Sequence, residues 1–437
     1  MLNNVLALSF IIGTRFFGLF IVLPVLSLYT LKLEYANEFL VGFLVGIYSL
    51  TQMILQMPFG ILSDRIGRKK TMLIGLLIFI FGSLICAFSH DIYMMLLGRM
   101  LQGAGAIGGV ATAMISDFIT EENRGKAMAI MGSFIGLSFA SSMVISPLMS
   151  AKWGLSSLFY LSAALSALCI VLLYSVVPKE NKITHHNQKT PFLHLIRQKN
   201  LALMNITNCM QKMLMSIAFL SIPIILVKHL GFHENKLWTV YTPSMIAGFI
   251  AMGFAGSLGE KKGLAKQILL LGVIFFICSY ILFNLANSIN LFIIAIIIFF
   301  IGFNLHEPIM QSCASKFCKV HEKGAALGLF NAFGYAGSFI GGTIGGIFLH
   351  LNQLNLLTMI LIVLAVFWLI SLFFLKNPSE FKNIYLPLST SLDLKEFGKN
   401  IGVVDIYKNS NNLIIKFDSK ITNEESLKAK IQNRKSL

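Results

Sequence analysis

Long apolar runs, separated by short polar turns, occupy most of this chain. Runs of the roughly 20 residues needed to cross a hydrocarbon core cover residues 4–30, 39–60, 70–89, 93–117, 126–149, 155–177, 201–228, 237–258, 266–287, 290–315, 324–349 and 355–375. The pattern predicts an all-α membrane protein of about twelve transmembrane helices. The first run is apolar and N-terminal, as a signal peptide would be. It lacks a basic leader and continues past Pro24 to Tyr29 without a small-residue cleavage motif, so it reads as a retained span.

After Pro378 the pattern changes to that of a small soluble unit. Strands are expected over 384–388, 402–407 and 413–417, with a helix over 392–397 and a turn at Asn409-Ser410-Asn411-Asn412. Thr422-Asn423-Glu424-Glu425 reads as a capping box opening a last helix. The order β-α-β-β-α predicts a small α+β ferredoxin-like domain. The expected division is a six-helix bundle at 1–177, a linker at 178–200, a second six-helix bundle at 201–375 and the soluble domain at 376–437.

Two internal echoes support the halves. Gly60-Ile61-Leu62-Ser63-Asp64-Arg65-Ile66-Gly67 returns 196 positions later as Gly256-Ser257-Leu258-Gly259-Glu260-Lys261-Lys262-Gly263. Arg124-Gly125-Lys126-Ala127 opens the fifth predicted span, and Lys323-Gly324-Ala325-Ala326 opens the eleventh. Two matches at nearly one offset point to a duplicated bundle, a common architecture of secondary transporters.

Composition agrees: 56% of residues are hydrophobic, 12% are charged and the mean hydropathy is +0.76. An ordinary soluble domain is excluded. The formal charge of +16 gathers beside span ends. Arg65, Arg68, Lys69, Lys70, Arg124, Lys126, Lys179, Lys182, Lys189, Arg197, Lys199, Lys261, Lys262, Lys266, Lys319 and Lys323 fall in one set of loops. Little more than Lys32, Lys152, Lys228 and Lys236 fall in the other. The asymmetry predicts cytoplasmic termini and anionic membrane lipid, rather than nucleic acid, as the partner of the basic loops. The six cysteines contain no CxxC pair and read as small buried hydrophobes, while His185-His186 reads as solvated, so no metal or other cofactor is expected. There is no Walker A loop and no nucleophile triad, and enzyme chemistry is not expected.

The Gly60 to Lys70 turn resembles the signature between spans two and three of the major facilitator superfamily. Arg99-Met100-Leu101-Gln102-Gly103-Ala104-Gly105-Ala106 is similar to the span-four signature of its drug/proton antiporter branch. Residues 17–26, Phe303-Asn304-Leu305-His306-Glu307 and the soluble tail add a resemblance to the YajR type, antiporters with a cytoplasmic C-terminal domain. The resemblance implies a monomeric, multi-pass protein of a bacterial inner membrane that exports small amphipathic substrates in exchange for protons. Ser146 precedes Pro147 where the branch has a Gly-Pro pair, which leaves a uniporter or proton symporter for a nutrient open. A membrane sensor acting through the tail is a further alternative. The resemblance also implies that Gly60, Asp64, Arg65, Gly67 and Arg68, joined by Asp117, latch the cytoplasmic side, with Asp64 near the start of span eleven.

Charges inside spans cost about 2.5–3.5 kcal/mol each and usually line a cavity. Here they are Arg15 in span one, Arg99 in span four, Lys212 in span seven and Glu307 in span ten. The resemblance puts these four helices around the central cavity. Glu307 is the one carboxylate before residue 376 expected deep in a span, and facing Lys212 or Arg15 it is the preferred proton carrier. His306, on another face, is the second choice. Arg15, Arg99, Gln102 and Asn304 are expected to line the cavity, with Arg99 and Gln102 sharing a helix face.

Overall fold

The computed structural model describes residues 2–119, 121–178, 192–319, 322–387, 402–408 and 412–427. The first half contains α1 (Leu2–Phe20), α2 (Leu23–Thr30), α3 (Glu38–Ile66), α4 (Arg68–Phe88), α5 (Ile92–Ala104), α6 (Gly108–Asp117), α7 (Glu121–Trp153) and α8 (Leu155–Ser175). A short α9 (Phe192–Arg197) leads into the second half: α10 (Lys199–Ile224), α11 (Trp238–Lys261), α12 (Ala265–Leu285), α13 (Ile289–Phe317), α14 (Lys323–His350) and α15 (Leu354–Phe373). Polar caps start several helices. Asn37 accepts from the Leu40 amide at 2.8 Å, and Asp91 accepts from Tyr93 and Met94 at 2.8 and 2.9 Å. Gly67, at φ +103°, makes the sharp joint between α3 and α4 that a side chain would strain.

Among the described residues, eleven helical stretches are long and apolar enough to cross a membrane. Their outward faces are apolar, with Phe81, Phe254 and Phe367 each more than half exposed, as contact with lipid requires. The predicted fourth span is not one continuous helix. It breaks between α5 and α6, and neither piece alone is long enough to cross. Glycines cause the break by letting backbones touch. A Cβ on Gly103 would run into the Tyr48 carbonyl and the Thr51 hydroxyl, and one on Gly105 would lie 2.5 Å from the Gly75 carbonyl.

One face of the bundle carries the basic loops, including residues 64–70 and 261–266. On the opposite face, Gly42, Gly46, Gly342 and Gly346 bring α3 and α14 together backbone to backbone. A Cβ on Gly346 would lie 2.8 Å from Gly42 Cα, and one on Gly342 would lie 2.7 Å from the Gly42 carbonyl. Nearby, Ser27 donates to the Phe219 carbonyl at 3.4 Å, Tyr241 donates to that of Pro24 at 3.3 Å, and Lys32 pairs with Glu234 at 3.1 Å. His350 lies 3.2 Å from Glu38. The apolar core follows the same division. First-half residues near the opposite face, such as Leu26, Val41 and Phe159, belong to one cluster with the second half. Those near the basic face, such as Ile12, Met72 and Ile115, form a separate cluster of the first half alone. The halves are therefore sealed at the opposite face and part toward the basic one.

The tail forms a three-stranded sheet of β1 (Phe381–Pro387), β2 (Val403–Lys408) and β3 (Asn412–Asp418) in the order β1-β3-β2, with β3 antiparallel to both neighbours. All three expected strands are present, with shifted ends. The expected helix at 392–397, most of the Asn409–Asn412 turn and His185-His186 lie outside the described residues. The last helix begins at residue 424 rather than after Thr422, whose hydroxyl lies 3.3 Å from that of Ser426 instead of capping. Ile384, Ile415, Phe417 and Leu427 make the small core. The sheet sits on the second half: Lys416 Nζ donates to the Cys318 carbonyl at 2.9 Å, Asn377 to that of Gly263 at 2.9 Å, and Phe381 packs edge-on against Phe317. Burial holds the Lys416 ammonium down to about 8, ahead of smaller effects from neighbouring charges. The cysteines are all free; Cys86, Cys169, Cys313 and Cys318 are buried as expected, whereas Cys209 is half-buried and Cys278 faces outward from α12.

Candidate functional site

Two polar clusters lie within the membrane-spanning helices. The first joins α10 to α13. Lys212 Nζ is in direct contact with Glu307 Oε1, and Gln211 Nε2 donates to the same oxygen at 3.3 Å and to the Phe303 carbonyl at 3.2 Å. The Lys212 and Glu307 side chains remain 25% and 33% exposed, so the pair is held by protein on one side and open to entry on the other. Phe303, over which the Lys212 ammonium lies at 4.9 Å, packs at a tilt against Phe139 of the first half, with ring centres 5.7 Å apart. The ion pair therefore sits beside the contact between the halves. A carboxylate so placed is reachable from outside the protein while a cation is held against it.

The second cluster belongs to the first half and gathers around the break in the fourth span. Carbonyls freed from helical bonding there need donors, and Arg15 Nη2 supplies them, donating to Gln102 O at 2.9 Å and Gly105 O at 3.1 Å. Its Nη1 contacts the Tyr48 hydroxyl, Nη2 lies 3.4 Å from Gln52 Oε1, and the guanidinium lies 4.1 Å from the centre of the Phe79 ring. Arg99, fully buried, donates to Gln102 Oε1 at 2.8 Å, and Gln102 in turn donates to Ser83 Oγ at 2.8 Å. The expected shared face of Arg99 and Gln102 is present. A narrow cleft beside Arg15 is lined by Tyr48, Gln52, Ile107, Gly108 and Tyr335, the last from α14 of the other half.

Several expected placements differ. Arg15 does not face Glu307; its contacts are with Tyr48, Gln52 and the broken fourth span. His306 is fully buried behind α13, with Nε2 2.8 Å from the Leu269 carbonyl and its ring edge-on to Trp368 and Phe276. Asn304 does not line the cavity; it donates to Phe300 of its own helix at 2.8 Å and is wedged against Gly248. Sequence reasoning missed Tyr48, Gln52, Gln211 and Tyr335. Tyr48 and Gln52 carry a signal, being polar groups four apart within an apolar run.

The charged turn forms a compact network. Arg68 donates to Asp64 at 2.6 Å and to Asp117 at 3.2 Å and contacts Ser63. Gly67 is the joint already described, Gly60 faces open space, and Arg65 is exposed. Asp64 pairs within its own half, and the close contacts of its helix with α14 lie at the far ends, around Gly42 and Gly346. The expected approach of Asp64 to the start of span eleven is not made in this conformation, because the halves part toward that face.

The chain matches the Major Facilitator Superfamily over residues 8–342 and again over 206–386. It is 32% identical to the inner membrane transport protein YajR of Escherichia coli K12, over 97% of this chain and 96% of that protein. It is 26% identical to the class B tetracycline resistance protein of E. coli, over 74% of this chain and 83% of the relative. A crystal structure of a bacterial homologue of the human lysosomal transporter Spinster superposes with a TM-score of 0.66, at 13% identity, over 84% of this chain and 95% of that one. This chain belongs to the Major Facilitator Superfamily and is of the YajR type: a multi-pass membrane transporter rather than an enzyme.

Proposed function

We propose that the protein is a proton-coupled antiporter that exports small amphipathic compounds by alternating access. The observation that carries this reading is the partly exposed Lys212–Glu307 pair beside the seam between the halves. Its carboxylate takes up a proton on one side of the membrane and releases it on the other, and the accompanying loss of the ion pair biases the halves toward rocking. Lys212 holds the carboxylate and Gln211 orients it; His306, fully buried, supports packing. In this reading α5 and α6 act together as one span, giving twelve in two six-helix halves. The tail is a ferredoxin-like unit, which its β1-β3-β2 order supports.

The basic-loop face is the cytoplasmic one by the distribution of Lys and Arg, with both termini inside a bacterial inner membrane. The present conformation is then open to the cytoplasm. The Arg68–Asp64–Asp117 network is a latch waiting for the outward-open state. The name of the YajR relative supports a transport protein, and that of the tetracycline-resistance relative supports an exporter.

Ser146 before Pro147 favours a second reading, proton symport of a nutrient. Proteoliposomes loaded with a pH-sensitive dye decide between them. Antiport predicts proton flux opposite to substrate flux, and Glu307→Gln abolishes it while substrate binding persists. Parallel fluxes establish symport, and substrate-independent behaviour in both proteins refutes proton coupling.

A further inference from the structure

The charges within the spans do not balance. Arg15, Arg99 and Lys212 are positive and Glu307 alone is negative, and Glu307 is taken by Lys212, leaving a surplus of two. Among the described residues neither arginine has a carboxylate partner. The Arg99 guanidinium lies 4.9 Å from the centre of the Tyr48 ring and donates to Gln102. Arg15 Nε and Arg99 Nε and Nη2 are buried with no hydrogen-bond acceptor. Arg15 is 4% exposed and lines the cleft with Tyr48, Gln52 and Tyr335.

The same cleft meets the first turn of α6. Ile107, at its N-cap, supplies no side-chain acceptor, so the N–H groups of Gly108, Gly109 and Val110 open the helix without helical partners. The space where a Gly108 side chain would stand is empty. A helix N-terminus attracts negative charge, and interrupted helices in other transporters aim such ends at anionic substrate groups. Ile12, Phe16 and Leu19 make the remaining wall apolar.

We infer that this cleft binds the carboxylate of an amphipathic organic acid, held by Arg15, the opening amides of α6 and the hydroxyls of Tyr48 and Tyr335. The apolar body lies against Ile12, Phe16 and Leu19. Tyr335 belongs to the other half and shares the cleft with Arg15 and Gln52, so a bound acid touches both halves. The assignment rests on the transporter reading and narrows its substrate class.

The test uses the full-length protein in detergent, titrated calorimetrically with 4-butylbenzoate, 4-butylbenzylamine and 4-butylbenzyl alcohol. The carboxylate is expected to bind at least about tenfold more tightly than either neutral or cationic counterpart. Arg15→Gln is expected to weaken it about ten- to hundredfold, the range for losing a charge-assisted bond. Arg15→Lys restores part of the affinity, and Tyr335→Phe weakens it severalfold without touching the break in the fourth span. Equal binding of all three probes, tighter binding of the amine, or full competition by chloride at equal concentration overturns the assignment. Proton flux in proteoliposomes separates the two readings. Flux driven by the amine and unchanged in Arg15→Gln leaves the transporter and removes the acid site. Carboxylate binding without any flux leaves the site and removes the transporter.

Discussion

The seal at the opposite face is built from four glycines, which makes it sensitive to a single methyl group. In Gly42→Ala the added Cβ would lie 2.5 Å from the Gly342 carbonyl and 2.7 Å from the Gly346 nitrogen. Ordinary contacts begin near 3.4 Å, so α3 and α14 must separate by nearly 1 Å, and neither neighbour is a side chain that can rotate away. Overpacking of this kind costs about 1–3 kcal/mol, which shifts a two-state equilibrium about 5- to 150-fold. The cost falls only on the conformation closed at this face, because opening it removes the contact. Gly60→Ala, on the same helix but facing open space, is the control. Spin labels at Glu34→Cys and Asn235→Cys, in a background lacking the six native cysteines, report the separation by double electron–electron resonance. Gly42→Ala is expected to move population toward longer distances, with Gly60→Ala matching the parent. An unchanged distribution in a monodisperse Gly42→Ala protein would refute the claim that backbone contact makes the seal.

Other outcomes follow from the same coordinates. Arg68 and Asp117 are each 12% exposed while Asp64 is 50% exposed. Asp117→Asn should therefore lower thermal stability in detergent by about 1.5–3 kcal/mol and Asp64→Asn by at most about 1 kcal/mol; the reverse order contradicts the burial argument. Lys416 titrates near 8 when docked and near 10.5 when free. Between these values the undocked tail holds more protons, so raising the pH favours docking by up to about 1.4 kcal/mol per unit. Below 8 both forms are charged and the dependence vanishes. The ratio of limited-proteolysis rates of the tail, wild type over Lys416→Met, should fall from pH 8 to 10, and a flat ratio counts against burial as the cause.

Periodicity and hydropathy carried most of the architecture, because a lipid solvent leaves little choice but a helix for each long apolar run. The Lys212–Glu307 partnership was also legible, since two opposite charges deep in apolar runs must find one another or remain unpaid in hydrocarbon. The break between Ala104 and Gly108 was not. Hydropathy is the same for a continuous helix and an interrupted one, and Gly103, Gly105 and Gly109 read equally well as packing residues. Only the neighbours, Tyr48 on α3 and Gly75 on α4, show that the backbone must bend to pass them. The facing of Asn304 and His306 was hidden for a related reason. Adjacent residues on a helix diverge by about 100°, and which direction meets the cavity depends on where α11, α12 and α15 stand.

The anchoring of the sheet has a mechanical meaning. Lys416 grips the carbonyl of Cys318 just beyond the end of α13, and Glu307 lies eleven residues earlier on that helix, about 16 Å away along its axis. Sheet and carboxylate are thus two loads on one helix, joined through the turn that holds Pro308. A molecule that seizes the sheet at the membrane surface pulls on the same lever that the ion pair holds from within.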